Sequence, residues 1–209
     1  MKIQPIAVTA AAVLAISFSA AHAQTGARPA AAPPSNPPPQ GPALPGVCVL
    51  SKEGAVYTSA AGRAMLARLD QLSSQADAEI KGQQTTLQTD AKALEGQRAS
   101  LPADQFQQKG QALQARASEL QRLAQLRNAE LQATQKKALQ TFSGYMDPIV
   151  RQEFTQHSCS VLLDANSLIY PAPAMDITGP VVQGLNGKIQ SFPFDRERID
   201  PNTGQPAAH

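Results

Sequence analysis

From Ser59 onward the apolar residues fall into a helical rhythm. Leu66, Ser73, Ile80, Leu87, Leu94 and Leu101 recur at seven-residue intervals, with Leu69 and Ala76 between the first of them. That spacing draws one ridge along one side of a helix. Farther out the intermediate positions become Gln83, Asp90 and Gln97, so the seam thins toward Leu101. The rhythm breaks at residues 99–102 (ASLP). Proline disfavours helix at the residue before it and suits the first turn of a new one, so a second helix starts near Pro102 with Ser100 as its candidate N-cap. A second ridge runs through Phe106, Gly110, Leu113, Ala117, Leu120 and Ala124, is interrupted at Arg127, and resumes through Leu131, Ala138, Phe142, Tyr145 and Ile149. A lone helix with a narrow apolar stripe is poorly stable in water, so two such seams joined by a tight break bury each other. The pattern predicts an antiparallel coiled-coil hairpin over residues 58–157, its tip near 99–104. Arms of about 40–50 residues would reach about 60–75 Å at 1.5 Å per residue. That exceeds the width of a compact domain this size, so the arms project from a small body.

The flanks read differently. Residues 47–51 (VCVLS) are short, apolar and β-branched, as a buried strand is, and Lys52-Glu53-Gly54 turns the chain. Residues 160–164 (SVLLD) and 167–170 (SLIY) read as two more strands joined through Ala165-Asn166, the second ended by Pro171 and Pro173. A short helix follows with Thr178 as candidate N-cap, Val181, Val182 and Leu185 as inner face, and Asn186-Gly187 as its close. The expected fold class is α+β: a long helical hairpin on a small β-rich base built from residues 47–57 and 158–190.

Composition narrows the compartment and the chemistry. The first residues carry Lys2, an apolar run over residues 6–21, and the small-x-small pattern Ala21-His22-Ala23. This is the layout of a cleaved signal peptide, residues 1–23; the apolar run is short for a membrane span of about 20 residues. The remainder, about 186 residues, suffices for one or two small domains. Residues 24–46 are Pro/Ala-rich and are expected to be a disordered spacer, and residues 191–209 a disordered tail. The absence of Trp and an aromatic content of 4% suit long helices with a thin seam better than a thick core. A formal charge of +2 without a Lys/Arg run gives no argument for nucleic acid.

Two cysteines in an exported chain favour a disulfide. Cys48 and Cys159 each sit near the start of a base strand, and an intrachain bridge would clamp the two ends of the hairpin excursion. An interchain bridge and free thiols are the alternatives. A zinc site of Cys48, Cys159 and His157 shows three ligands in no standard spacing. No catalytic constellation is visible, and residues 179–184 (GPVVQG) continue with Leu185 rather than the Lys-Ser/Thr of a phosphate loop. The chain reads as a non-enzyme that calls for no cofactor.

Residues 160–186 carry a resemblance. Asp164, Ala165 and Asn166, the aromatic Tyr170, and then Asp176, Ile177, Thr178, Val181, Leu185 and Asn186 resemble the C-terminal signature of the Skp/OmpH-like periplasmic chaperones. The order of elements over residues 47–190 is similar too. The resemblance implies a homotrimer whose base strands form a central β assembly, with these signature residues at the trimerisation base. It implies arms around a cavity, acting without ATP as a periplasmic holdase for unfolded outer-membrane proteins. Barrel strands alternate apolar and polar side chains and have unpaired edges, so in water they aggregate unless kept apart. The chain departs from the family's strongly basic arms: Lys81, Lys92, Arg98, Lys109, Arg116 and Arg122 are interspersed with Asp90, Glu95 and Asp104. At the tip, Arg98, Leu101, Phe106 and Lys109 are candidates for contact with client or with a membrane surface; a solvated face and a cap on the hairpin seam are the plainer readings. A coiled-coil scaffold or adaptor of the cell envelope is the alternative function.

Overall fold

The computed structural model describes residues 41–200 and Thr203. The expected signal peptide, most of the expected spacer and the last residues of the tail lie outside them. Strand β1 (Val47–Leu50) leads into helix α1 (Lys52–Thr58) and then the two long helices, α2 (Ala60–Gly96) and α3 (Ala103–Gln156). Strand β2 (Val161–Asp164), two short 3-10 turns (Ala165–Ser167 and Pro173–Met175) and helix α4 (Thr178–Lys188) complete the base. The chain is mostly helical, with a two-stranded sheet.

Three cross-arm contacts fix the register of the hairpin. Lys109 Nζ meets Gln97 Oε1, Arg116 Nη1 meets Asp90 Oδ2, and Arg127 meets Glu79. The two members of each pair are equally far from position 103, as antiparallel helices turning at that point require. The turn occupies 97–102, at the predicted break. Pro102 stands at the cap position of α3, but no side chain caps that helix. Ser100 instead turns its hydroxyl to donate to the Gln97 carbonyl, so it is not the expected N-cap. With 37 and 54 residues, α2 and α3 are about 55 and 80 Å long.

The seven-residue ridge of α2 is buried or half-buried at every position, whereas Gln83 and Gln97 between them are exposed. Packing is uneven along the arms. Fully buried residues concentrate near the base: Ala61, Met65, Leu72 and Ala76 on α2, and Glu130, Thr134, Ala138, Phe142, Met146 and Ile149 on α3. Beyond Ala76 and Glu130, only Leu94 is buried. The distal halves are a thin two-helix seam; the proximal halves share a core with Leu50, Ile177, Val181 and Leu185 of the base.

The two strands pair in parallel, Cys48 opposite Leu162 and Leu50 opposite Asp164. Parallel neighbours need a long crossover, and here the whole hairpin supplies it. Residues 52–54 do more than turn the chain: they open α1, whose N-cap Ser51 accepts from the Gly54 amide. Ser59, fully buried, ends α1 and caps α2 by accepting from the Gly62 amide. A side chain at Gly62 would collide with the Val56 carbonyl, so the tight bend between the two helices requires glycine there.

At the far end, α3 closes in a Schellman arrangement. The Ser158 amide donates to the Thr155 carbonyl and the Cys159 amide to the Phe154 carbonyl, with Ser158 left-handed at φ 52°. That turn delivers Cys159 to Cys48, with Cα atoms 5.7 Å apart and the two sulfurs bonded. The intrachain bridge is present, so neither thiol is left for a zinc site with His157.

Two further expectations are corrected. Residues 167–170 are not a strand. Asp164 Oδ1 accepts from the Asn166 amide and starts a 3-10 turn instead, leaving Ile169 85% and Tyr170 71% exposed. The segment beside β1 is the one around Asp176: the Ile177 amide donates to the Val49 carbonyl, and β1 lies between it and β2. Nor is the segment from Ser191 a disordered tail over its described part. Residues 191–200 run extended back along both arms. Phe192 is 9% exposed and packs 5.8 Å from Tyr145, and Phe194 stacks 5.5 Å from Phe192.

Candidate functional site

The base signature divides into residues that hold the protomer together and residues that face outward. Asp176 Oδ1 accepts from the Thr178 amide, so the side chain serving the start of α4 is Asp176 rather than Thr178. Thr178 Oγ1 is used elsewhere: it accepts from the Ser51 amide 2.8 Å away. Asn186 Oδ1 accepts from the Ala60 amide at the start of α2. Ile177, Val181 and Leu185 are essentially fully buried. The Thr178 and Asn186 bonds and the three buried side chains tie α4 to β1, α1 and α2. Tyr170 takes no part in that core. With Ile169, Val161, Leu44 and Tyr57 it is an exposed apolar side chain of the base.

The arms carry two features that differ in chemistry. Midway along the hairpin lies a groove of about 880 Å³. Its floor is Ala78, Leu87, Leu120, Leu123 and Leu126, and Glu79, Asp90, Arg116, Glu119 and Arg122 lie along it. Leu123 and Leu126 were not in the seam read from the sequence, because they sit beside it on the groove side of α3.

Below the groove is a charged cluster within the packed arm. Arg127 Nε and Nη2 grip both oxygens of Glu79 at 2.8 and 2.9 Å, and Nη1 donates to Glu130 Oε2 at 2.9 Å. The Arg127 side chain is 14% and that of Glu130 2% exposed. Arg196, from the C-terminal segment, brings its Nε to 3.2 Å from Glu130 Oε2, an ion-pair distance without hydrogen-bond alignment. The hydrogen bond from Arg127, reinforced by the charges of Arg127, Arg196 and Arg198, holds the Glu79 carboxyl below its ordinary range against a smaller desolvation. The Arg127 guanidinium is shifted up, chiefly by its hydrogen bond to Glu79. Arg127, which interrupts the apolar ridge in sequence, is the seam's polar centre. A hint lay in the (i, i+3) placement of Glu130.

At the tip, Arg98 lies 5.6 Å from the centre of the Phe106 ring and pairs with Glu95. Leu101 and Phe106 are half-buried, and Lys109 reaches across to Gln97. The four tip residues thus stand at one end of the hairpin, far from the base. Among the described residues no group of acidic, His or Cys side chains is placed to hold a metal ion, and no helix is long and apolar enough to cross a membrane.

The site thus consists of long exposed arms, an apolar groove and a covalently clamped base. The profile of the family described as outer membrane protein (OmpH-like) matches residues 46–185. The fold superimposes with a TM-score of 0.75 on the crystal structure of a proposed outer membrane chaperone (OmpH-like) from Caulobacter crescentus. The two are 40% identical, over 79% of this chain and 98% of that one. No curated protein matches the chain at a significant level. The match spans β1, both arms and α4 up to Leu185, and on it the chain belongs to the OmpH-like outer membrane protein family.

Proposed function

We propose that this chain is an ATP-independent periplasmic holdase that keeps unfolded outer-membrane proteins apart between helical arms. The observation that carries the reading is the division of the molecule. A packed, disulfide-clamped base and proximal arm give way, beyond Ala76 and Glu130, to slender arms whose apolar groove is open to solvent. Such arms offer many weak contacts to a chain with alternating apolar positions, with no bond made or broken and no energy source consumed.

The active form in this reading is a homotrimer. Ile169 and Tyr170, 85% and 71% exposed, and Val161 at 48% are costly to leave in water and suited to the centre of an interface. Three such bases would surround one cavity with three hairpins. Arg98, Leu101, Phe106 and Lys109 at the tip are the first residues an entering client or an anionic membrane surface would meet. The arms' near-balanced charge favours client contact through Gln, Ala and Leu over electrostatic capture.

Dilution of a urea-unfolded outer-membrane barrel into buffer containing the purified mature protein tests the reading. Suppressed light scattering, saturating near one trimer per client, is the expected result. Unchanged scattering would turn the assignment toward an envelope scaffold.

A further inference from the structure

The C-terminal segment has the pattern of a barrel strand. Over residues 191–196 the inward positions are Phe192, Phe194 and Arg196, and the outward ones Ser191, Pro193 and Asp195. That is period-two alternation with aromatics on one face, a pattern general to half-buried strands and shared by the strands of outer-membrane barrels. The segment is extended and climbs the arm from Tyr145, beside Phe192, to Thr134, which takes the amide of Glu197. Five extended residues and eleven helical residues each span about 16 Å, so the two run side by side.

Part of the arms' hold on this segment does not depend on its identity. Arg68 Nε donates to the Phe194 carbonyl at 3.3 Å, and Thr134 Oγ1 accepts from the Glu197 amide at 2.9 Å. Both are bonds to backbone. The side-chain contacts are an aromatic seat beside Tyr145, ion pairs of Asp195 with Arg68 and of Glu197 with Lys137, and the approach of Arg196 to Glu130 and Glu79. Any extended chain with aromatics at alternate positions could make the first three.

We infer that the surface under residues 192–197 is a client-binding surface, and that the protein's own C-terminal segment occupies it as an internal stand-in for an unfolded barrel strand. The proposal rests on the holdase reading and adds to it a named docking surface and a self-occupied state. A client strand displaces the segment, takes the Arg68 and Thr134 bonds and seats its aromatics beside Tyr145. The freed segment swings out, and the proximal arms lose the strap that ties α2 to α3. Apparent affinity for a site open only a fraction of the time falls by that fraction, so a segment seated about nine-tenths of the time or more weakens client binding at least about tenfold.

Three forms of the mature protein test this: the intact chain, a chain ending at Gln190, and a chain carrying Phe192→Ser with Phe194→Ser, which keeps the charged contacts. The probes are a fluorescently labelled, urea-unfolded outer-membrane barrel and a synthetic peptide of residues 191–200. Circular dichroism checks that each form keeps its helices; should the shortened chain lose them, the double substitution carries the test. The expected result is barrel binding at least about tenfold tighter in both altered forms, reversed by excess peptide. Equal barrel affinity in all three forms, within about twofold, overturns the proposal and leaves the holdase reading standing. Failure of the peptide to compete also overturns it. Should no form bind the barrel while the peptide rebinds the shortened chain, the holdase reading falls and the surface's preference for an extended aromatic segment remains.

Discussion

Arg127 and Glu79 face each other across the hairpin in a two-pronged ion pair, Nε and Nη2 each on one carboxylate oxygen at 2.8 and 2.9 Å. The third guanidinium nitrogen turns along α3 to Glu130, which is 2% exposed. Parallel bonds of this kind fix direction as well as distance. The pair therefore sets the register of the arms at the level where dense packing gives way to a thin seam.

Arg127→Ala leaves Glu130 buried with Arg196 alone. Breaking a buried pair from one side costs about 3–5 kcal/mol; with Glu79 a third exposed, about 2–3 kcal/mol is expected here. Thermal unfolding followed by circular dichroism measures it. Arg127→Lys should recover less than half, because an ammonium cannot make the paired bonds. An unchanged midpoint in Arg127→Ala would show that the cluster adds nothing to arm stability.

The same contact gives a pH dependence of known sign. Glu79 is held below its ordinary value near 4.5 by Arg127. A depressed carboxyl stabilises the fold fully above that value and loses the contribution as pH falls through the lower folded one. Urea midpoints should be flat from neutrality to about pH 5 on this account and decline below it, more steeply than in Glu79→Gln. Equal slopes for the two proteins would refute the assignment.

The bridge from Cys48 to Cys159 closes a loop of 111 positions. The chain-entropy model values such a constraint at about 4–5 kcal/mol. Cys48→Ser with Cys159→Ser should lower the urea midpoint accordingly, and a reducing agent should reproduce the shift in the parent but not in the variant. A parent midpoint indifferent to reduction would mean that the base holds itself without the bond.

Two backbone positions predict opposite signs. Gly62→Ala drives a Cβ into the Val56 carbonyl where α1 meets α2, and should cost about 2 kcal/mol or more. Ser158→Gly relieves a left-handed serine at φ 52° and should gain about 1 kcal/mol, since glycine carries no penalty there. Denaturant curves on both variants check the pair of signs.

Ile169 and Tyr170 project from the protomer without supporting its core. In the homotrimer proposed above, Ile169→Asp with Tyr170→Ser should leave helix content intact and release single chains. The change is read by multi-angle light scattering as a threefold fall in mass. A trimer that survives both changes would place the interface elsewhere.

Much of the architecture was legible in local pattern. The leucine heptads, Pro102 and the apolar ridge of α3 announce an antiparallel hairpin, because seam periodicity and a proline break are properties of neighbouring residues. Two cysteines in an exported chain favoured a disulfide, but only the fold shows that it closes within one chain. The signature from Asp164 to Asn186 pointed to the family, although not to which of its residues serve the protomer's core. Asp176 rather than Thr178 serves the start of α4, because the Thr178 hydroxyl is taken by the amide of Ser51, a residue over 120 positions away.

What the sequence by itself determined was thus the periodic, local part of the molecule: two long helices, their turn, and a small base with one cysteine on either side of the excursion. Tertiary structure alone decided the parallel pairing of β1 with β2, the place of the Asp176 segment beside β1, the burial of Arg127 and Glu130, and the return of residues 191–200 along the arms. Those outcomes rest on contacts between residues far apart in the chain, where a charged or proline-bearing segment is stable only because a specific partner surface satisfies it. Short-range propensity assigns such segments to solvent, since it counts their polar groups without knowing what will meet them.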